Sequence, residues 1–542
     1  MPLIGQTLGA HLAATAARVG PDHEAVVECV TGRRLTYAAL LAEVDACALG
    51  LHARGVGPGD RVGLWAPNRA EWVILLYAAA RLGAIMVNLN PALDADDLAV
   101  ALRRSGVVLL VAAPGPRTGD HGELIAGICA RCPALRDVVL LDVTGLDHPG
   151  WDELLAAGRL GDPGLLAERE RRSSADDPVN LQHTSASSTR SSRAATLSHH
   201  NLVNNGFFVG VGCGYTERDR VCVPVPFFHC FGLGMGVLAT LAHGATVIIP
   251  APDFDPARTL QAVQDEGCTS LYGVPAMFAA ELALPSSAYD LGSLRTGIMA
   301  GSSCPVELME RVVAELGMSE VTVCHGMTET SPVITQTRRD DDLRRRTSTV
   351  GRVQPHLEIK IIEPATGATV GRDEPGELCV RGYAVMLGYW DAPGDTAAVI
   401  DGARWLHTGD LAVMDADDLV TVVGRTDAWI VRGGEPVDPR RVEELLAGHP
   451  DVVDVRVIGV PDERFGEELM AWLRLRPGAP GLTAESLRAY GDGTIPPRLI
   501  PRYVKVVDEF PQPVSGHLLG VELRTLAIAE LGLQRAAGLE HH

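Results

Sequence analysis

Lysine is nearly missing from this sequence: of its 47 Lys and Arg residues, only Lys360 and Lys505 are lysines. No basic run offsets a formal net charge of −21. That excludes nucleic acid and anionic membrane surfaces as general partners, so anionic small ligands must be met by local groups. A long hydrophobic run is missing too: "WVILLYAAARLGAIMV" is the longest, and Arg81 interrupts it. The opening "MPLIGQTLGAHLAATAARVG" has no basic segment followed by an unbroken apolar one, so neither a membrane span nor a secretory leader is read, and a cytoplasmic location is expected. The 11 cysteines are read as scattered, without C-x-x-C pairing or regular spacing, and so as small core residues in a reducing compartment, not as a disulfide or zinc framework.

A chain of 542 residues with 46% apolar composition exceeds one ordinary core and predicts at least two domains. Between about residues 35 and 440, helical and strand patterns alternate. "LTYAALLAEVDACALGLHARG" precedes "DRVGLWAP", and "EWVILLYAAARLG" precedes "AIMVNLN", which predicts α/β layers. "PHLEIKIIEPATG", "GELCVRGYAVMLGYW" and "DLVTVVGRTDAWIVRGGE" suggest smaller β units. Beyond Arg432, "PRRVEELLAGHP" reads as helix, "DVVDVRVIGVPD" and "EELMAWLRLRP" as strands, and "ESLRAYGDGTIPPRLIPRYVKVVDEF" as helix, loop and strand. That is a small α+β domain. No internal repeat is found. The terminal "LEHH" resembles the start of an engineered tag, and residues 538–542 are set aside from the fold.

Glycine is plentiful, 58 in all, yet "HTSASSTRSSRAATLSHHN" (residues 183–201) contains no glycine, proline or lysine. Its meaning depends on nine other segments. "GDRVGLWAPNRAEW", "PVPFFHCFG", "LYGVPAMF", "MAGSSCP", "HGMTETSP", "GELCVRGYAVMLGYW", "WLHTGDLAVMD", "GRTDAWIVRGGEPVDPRRVEE" and "VIGVPDERFGEE" follow one another in order over nearly the whole chain. Together they resemble the adenylate-forming superfamily, specifically its acyl-CoA ligases.

The resemblance implies a large N-terminal multi-subdomain α/β domain, residues 1–426, that binds acyl-adenylate. A small mobile α+β domain, 427–537, would complete a coenzyme A tunnel. It also implies two steps: a carboxylate attacks the ATP α-phosphate to give acyl-AMP, then the thiol of coenzyme A displaces AMP. Carried over residue by residue, Asp410 accepts hydrogen bonds from the ribose hydroxyls, and Arg425 fixes the ribose or the phosphate. Thr328 meets the AMP phosphate, and Glu329 is the carboxylate on the Mg2+ side. Gly301, Ser302 and Ser303 present backbone to the adenine, with His325 and Gly326 beside it. His229 stands by the acyl carboxylate and the thiol path, Asp427 is the hinge, and Gly433 and Gly434 line the tunnel. Each also has a bland reading, Asp410 as a turn residue and His229 as a satisfied core histidine.

Two departures stand against that pattern. Anchored on "LSHHN", the preceding residues in the family read T-S-G-T-T-G-x-P-K-G, a loop around the ATP β- and γ-phosphates that needs glycine for close backbone approach and lysine for charge. Here Thr184 and Ser185 match, while the glycine positions fall on Ala186, Thr189 and, with one residue inserted, near Arg193. Near the C-terminus the family's bridging lysine is replaced by His517 in "FPQPVSGHLLG". A histidine with a pKa of about 6.5 is mostly neutral at neutral pH, and it is too short to act as an ammonium arm.

The sequence is therefore read as similar to the non-adenylating acyl-CoA ligases of platensimycin-type diterpenoid biosynthesis. That kind takes a bulky carboxylic acid as acyl-AMP from a separate adenylating enzyme, with coenzyme A as co-substrate and no Mg2+ requirement. Two rivals are a complete ATP-dependent ligase in which Arg190 or Arg193 replaces lysine, and a pseudoenzyme that senses acyl-AMP or coenzyme A.

Overall fold

Unbroken apolar runs such as "VVLLVA" form strands covered on both faces, the signature of parallel sheets packed between helices. In the computed structural model, Ile85–Leu89 and Val107–Ala112 are buried along their whole length. The structure describes residues 1–113, 121–142, 148–184, 193–301, 304–364, 366–425, 430–432, 435–462, 466–491, 495–510 and 519–533.

Two large mixed sheets make up most of the chain. The seven-stranded sheet runs in the order Gly388–Tyr389, Ala194–Ser198, Pro178–His183, Ile85–Leu89, Arg61–Trp65, Val107–Ala112, Asp137–Leu140. Its last five strands are parallel, and the first two are antiparallel additions at one edge. The nine-stranded sheet likewise has a parallel centre, here bordered by antiparallel strands at both ends. Glu320–Gly326 is the last parallel strand on one side. One core cluster draws on residues of both sheets, Met86 and Leu197 from one and Tyr272 and Ile298 from the other.

The helix Ala70–Leu82 fills that core: every residue of it except Arg81 is buried. Arg81, the break in the longest apolar run, is paired with Asp45. No described helix is long and apolar enough to cross a membrane.

The β-rich segments form a four-stranded antiparallel sheet of Leu357–Ile362, Gly376–Gly382, Leu406–Met414 and Val420–Arg425. The C-terminal pattern folds as read from sequence. Helix Pro439–Ala447 and strands Val452–Asp462, Gly466–Leu475 and Tyr503–Val506 belong to a five-stranded sheet unit with its own apolar cluster. The cysteine reading needs one correction. Cys129 and Cys132 do stand at C-x-x-C spacing; both are free thiols, one half-buried and one buried.

Candidate functional site

The glycine-poor stretch is a hairpin. Strands Pro178–His183 and Ala194–Ser198 pair antiparallel with His183 opposite Ala194, and the Thr184 N–H donates to the Arg193 carbonyl at 2.8 Å. Residues 185–192, with Ala186, Thr189 and Arg190 among them, lie outside the described residues. Counted forward from Thr184, the ten-residue family pattern sets Ser192 on the lysine and Arg193 on the last glycine.

The hairpin stem carries the next elements into place. Ser198 caps the helix His199–Cys213 in a reciprocal box with Asn201. The Asn201 amide donates to the carbonyls of Tyr383 (2.5 Å) and Val385 (3.1 Å). That anchors the segment leading to Gly388–Tyr389, the edge strand beside Ala194–Ser198. The Tyr389 hydroxyl donates to Glu329 Oε1 at 2.7 Å, and the Met386 N–H donates to the Glu329 carbonyl at 2.9 Å. Burial, then the neighbouring carboxylate, pushes the Tyr389 phenol well above its ordinary pKa. Arg193 lies over the same ring, its guanidinium carbon 5.2 Å from the centroid. Its Nε is 3.2 Å from Asp395 Oδ2.

Glu329 is reached from the other sheet. After strand Glu320–Gly326 the chain makes a single 3₁₀ turn, Thr328–Thr330. Gly326 is required by the approach of the returning backbone, since a Cβ there would lie 1.9 Å from the Pro332 carbonyl oxygen. His325, on the same strand, places Nε2 3.1 Å from Asp410 Oδ2. Asp410 is buried in the strand Leu406–Met414, opposite Arg425 in register; the Arg425 side chain is outside the described residues. Gly301 ends the strand Thr296–Ala300 at φ 95°, a conformation that suits glycine.

His229 enters on the segment "PFFHC", which two asparagines fasten. Asn68 accepts from the Phe227 N–H at 2.7 Å and donates to the Val225 carbonyl at 2.9 Å, while Asn88 donates to the Phe228 carbonyl at 3.2 Å. His229 is exposed, and its Nδ1 accepts from the Phe231 N–H at 3.2 Å. Cys230 connects it to Thr328, with Sγ 3.6 Å from His229 Nδ1 and 3.6 Å from Thr328 Oγ1. The neighbouring Cys230 sulfur raises the His229 pKa. Burial pushes the Cys230 thiol up, but the His229 charge and the two hydrogen bonds outweigh it, so the net shift is down. A π-helix, Phe231–Leu238, follows at once. Such helices are rare and cluster at functional positions.

The structure thus gathers His229, His325, Thr328, Glu329 and Asp410 through direct side-chain or chain links. Ser302, Ser303, Asp427, Gly433, Gly434 and His517 lie outside the described residues. Sequence reasoning missed Tyr389, Cys230 and Asn68. All three sit inside the quoted segments, but their partners are distant in sequence.

Comparison with known proteins agrees with this geometry. The family described as AMP-binding enzyme matches residues 13–390, and the AMP-binding enzyme C-terminal domain matches residues 441–517. The chain is 40% identical to YngI of Bacillus subtilis over 548 residues, covering 98% of this chain and 99% of that one. It is 39% identical to the bovine mitochondrial medium-chain acyl-CoA ligase ACSF2, covering 96% and 88%. That relative is mitochondrial, so the likeness does not carry the cytoplasmic expectation. Among solved structures, ATP-bound MatB from Rhodopseudomonas palustris superposes with a TM-score of 0.81 at 28% identity, covering 96% of this chain and 99% of that one.

Proposed function

The chain belongs to the AMP-binding enzyme family and is an acyl-CoA ligase, and from that premise we propose that it carries out thioester formation alone. Acyl-AMP and coenzyme A give acyl-CoA and AMP: the thiol sulfur bonds to the acyl carbon, the bond from that carbon to the phosphate oxygen breaks, and the thiol proton passes to solvent. A separate adenylating enzyme supplies the acyl-AMP, and its acyl group is a bulky carboxylic acid.

The observation that carries this reading is the hairpin between Thr184 and Arg193. A triphosphate cradle needs backbone amides that approach phosphate closely, and a lysine. This turn has neither glycine nor lysine, and Arg193, at the last glycine position, is engaged by Asp395 and the Tyr389 ring. His517, the last residue of the C-terminal family match, stands where a lysine would bridge the acyl carboxylate and the α-phosphate. Removing one preorganised donor costs about 3–4 kcal/mol of barrier, and two such groups are changed together.

Thioester formation needs neither group. An acyl-AMP is already activated, so it needs to be held and aligned with the thiol. Asp410 accepts from the ribose, Thr328 donates to the phosphate, and His229 flanks the acyl carbonyl. The thiol enters past Gly433 and Gly434 as the domain after Asp427 turns. Mg2+ is usually held by one or two carboxylates together with substrate phosphates. Glu329, with one oxygen accepting from Tyr389, fits that cation best beside the β- and γ-phosphates of ATP, which the thioester step lacks, so that step is assigned no metal.

Two assays test the reading. Supplied acyl-AMP and coenzyme A should yield acyl-CoA by mass, while ATP–pyrophosphate exchange should stay at background. Robust exchange favours the second reading, a complete ATP-dependent ligase. That reading draws support from Arg193, whose charge stands at the hairpin mouth, and from the full-length likeness to ATP-bound MatB. Binding of acyl-AMP without turnover would leave the sensor.

A further inference from the structure

The four-stranded sheet carries a cluster that the reaction does not use. Glu377 and Cys379 lie on Gly376–Gly382, and His407 lies opposite Cys379 on Leu406–Met414. His407 Nδ1 is 3.0 Å from Glu377 Oε2 and 3.6 Å from Cys379 Sγ. The three donor atoms all lie within 4.8 Å of one another, the one such group among the described residues.

These distances are nearly the edges of a coordination tetrahedron. Metal bonds of about 2.3 Å to sulfur and about 2.0–2.2 Å to nitrogen and oxygen place S and N about 3.6 Å apart, and N and O about 3.3 Å apart. The remaining parts of a metal site are present. Asp401 Oδ2 lies 3.9 Å from His407 Nε2, a negative charge on the far side of the ring but beyond direct hydrogen-bond distance. Glu377 is steadied by its other oxygen, which accepts the Gly409 N–H at 3.1 Å. Lys360, opposite Cys379, holds its ammonium over the Trp405 ring at 4.6 Å. Cys379 is buried, and the half-exposed His407 gives access.

We infer that Glu377, Cys379 and His407 form a binding site for a borderline divalent transition metal of the Zn2+ class, with water in the fourth position. Binding releases the Cys379 thiol proton to solvent and leaves the imidazole proton on Nε2, toward Asp401. The thiolate and carboxylate then neutralise the dication. Without metal, burial pushes the Cys379 thiol up to about 12, and His407 instead donates to Glu377. The bound metal would join two strands three residues before Asp410, a place in the fold independent of which half-reaction the enzyme performs.

The test is a Co2+ titration of the full chain after dialysis against a chelator. A near-ultraviolet thiolate-to-Co2+ charge-transfer band should grow to one equivalent and vanish on adding Zn2+. Cys379→Ser should abolish the band. His407→Gln, at a half-exposed side chain, should weaken Co2+ binding about tenfold or more while the chain keeps its far-ultraviolet dichroism. Terminal His541 and His542 can bind Co2+ but give no thiolate band. No band in the parent chain, or a band unchanged in Cys379→Ser, overturns the site.

Discussion

The paired strands at residues 178–198 are full of side chains with structural duties, whereas the segment 185–192 between them departs from the family pattern at the two glycine positions it covers and at the lysine. In the stem, the buried Asn180 amide donates to the Met86 carbonyl at 3.0 Å and to Asn88 Oδ1 at 2.9 Å, and Ser198 with Asn201 caps a helix. In the turn, the sequence gives five serines with Ala186, Thr189 and Arg190. Stem residues therefore match the family pattern whether or not phosphate is handled, because packing alone demands them. By the resemblance, the segment 185–192 answers to phosphate chemistry, so its departure carries more functional information than the agreement of the strands.

The largest effect that sharpens this contrast is gain of adenylation. Ala186→Gly, Thr189→Gly, Ser192→Lys and Arg193→Gly, combined with His517→Lys, should raise ATP–pyrophosphate exchange by about 10³-fold or more, since each restored group is worth about 3–4 kcal/mol of barrier. Either half of the repair alone should reach no more than its own share of about 10²–10³-fold. Full exchange from His517→Lys by itself would break the contrast, because the turn would then be competent as it stands.

A smaller effect probes the stem. Asn201→Ala removes one half of a capping box and leaves the carbonyls of Tyr383 and Val385 without their donor, which should lower unfolding free energy by about 2–4 kcal/mol in urea. Thr189→Gly should shift it by no more than about 0.5 kcal/mol. Equal losses at the two positions would mean that the turn is structural after all.

The smallest expected effect concerns a second buried carboxyl. Glu281 is fully buried in helix Pro275–Leu282, and neither of its oxygens has a hydrogen-bond partner among the described residues, unlike Glu329 with its phenol. Burial raises the Glu281 pKa well above the ordinary carboxylate value. The folded chain therefore keeps a proton that the unfolded chain releases above a pH of about 4.3, and stability falls as pH rises from there toward the folded pKa. Glu281→Gln should stabilise the protein by on the order of 1 kcal/mol at pH 8 and by almost nothing at pH 4, read from urea midpoints. A gain of equal size at both pH values would show that ionisation is not the cause.

The α/β layers and the C-terminal unit were legible because apolar runs and helical periodicity are local signals. Contacts between elements were not. Tyr389 and Glu329 belong to segments recognised separately, but nothing in either shows that a hydroxyl from one sheet's edge reaches a carboxylate beyond the other. Regular spacing likewise hid Cys379, since its partners His407 and Glu377 reach it through a strand register that no motif encodes.

The Tyr389–Glu329 hydrogen bond also has an optical consequence. A phenol that donates to a carboxylate absorbs at longer wavelength than one bound to water, and there are 9 tyrosines to resolve against. Any cation that draws Glu329 away would shift that band back. Tyr389 is thus a built-in chromophore whose difference spectrum reports, without a label or a coupled assay, whether Mg2+ with ATP ever occupies this carboxylate.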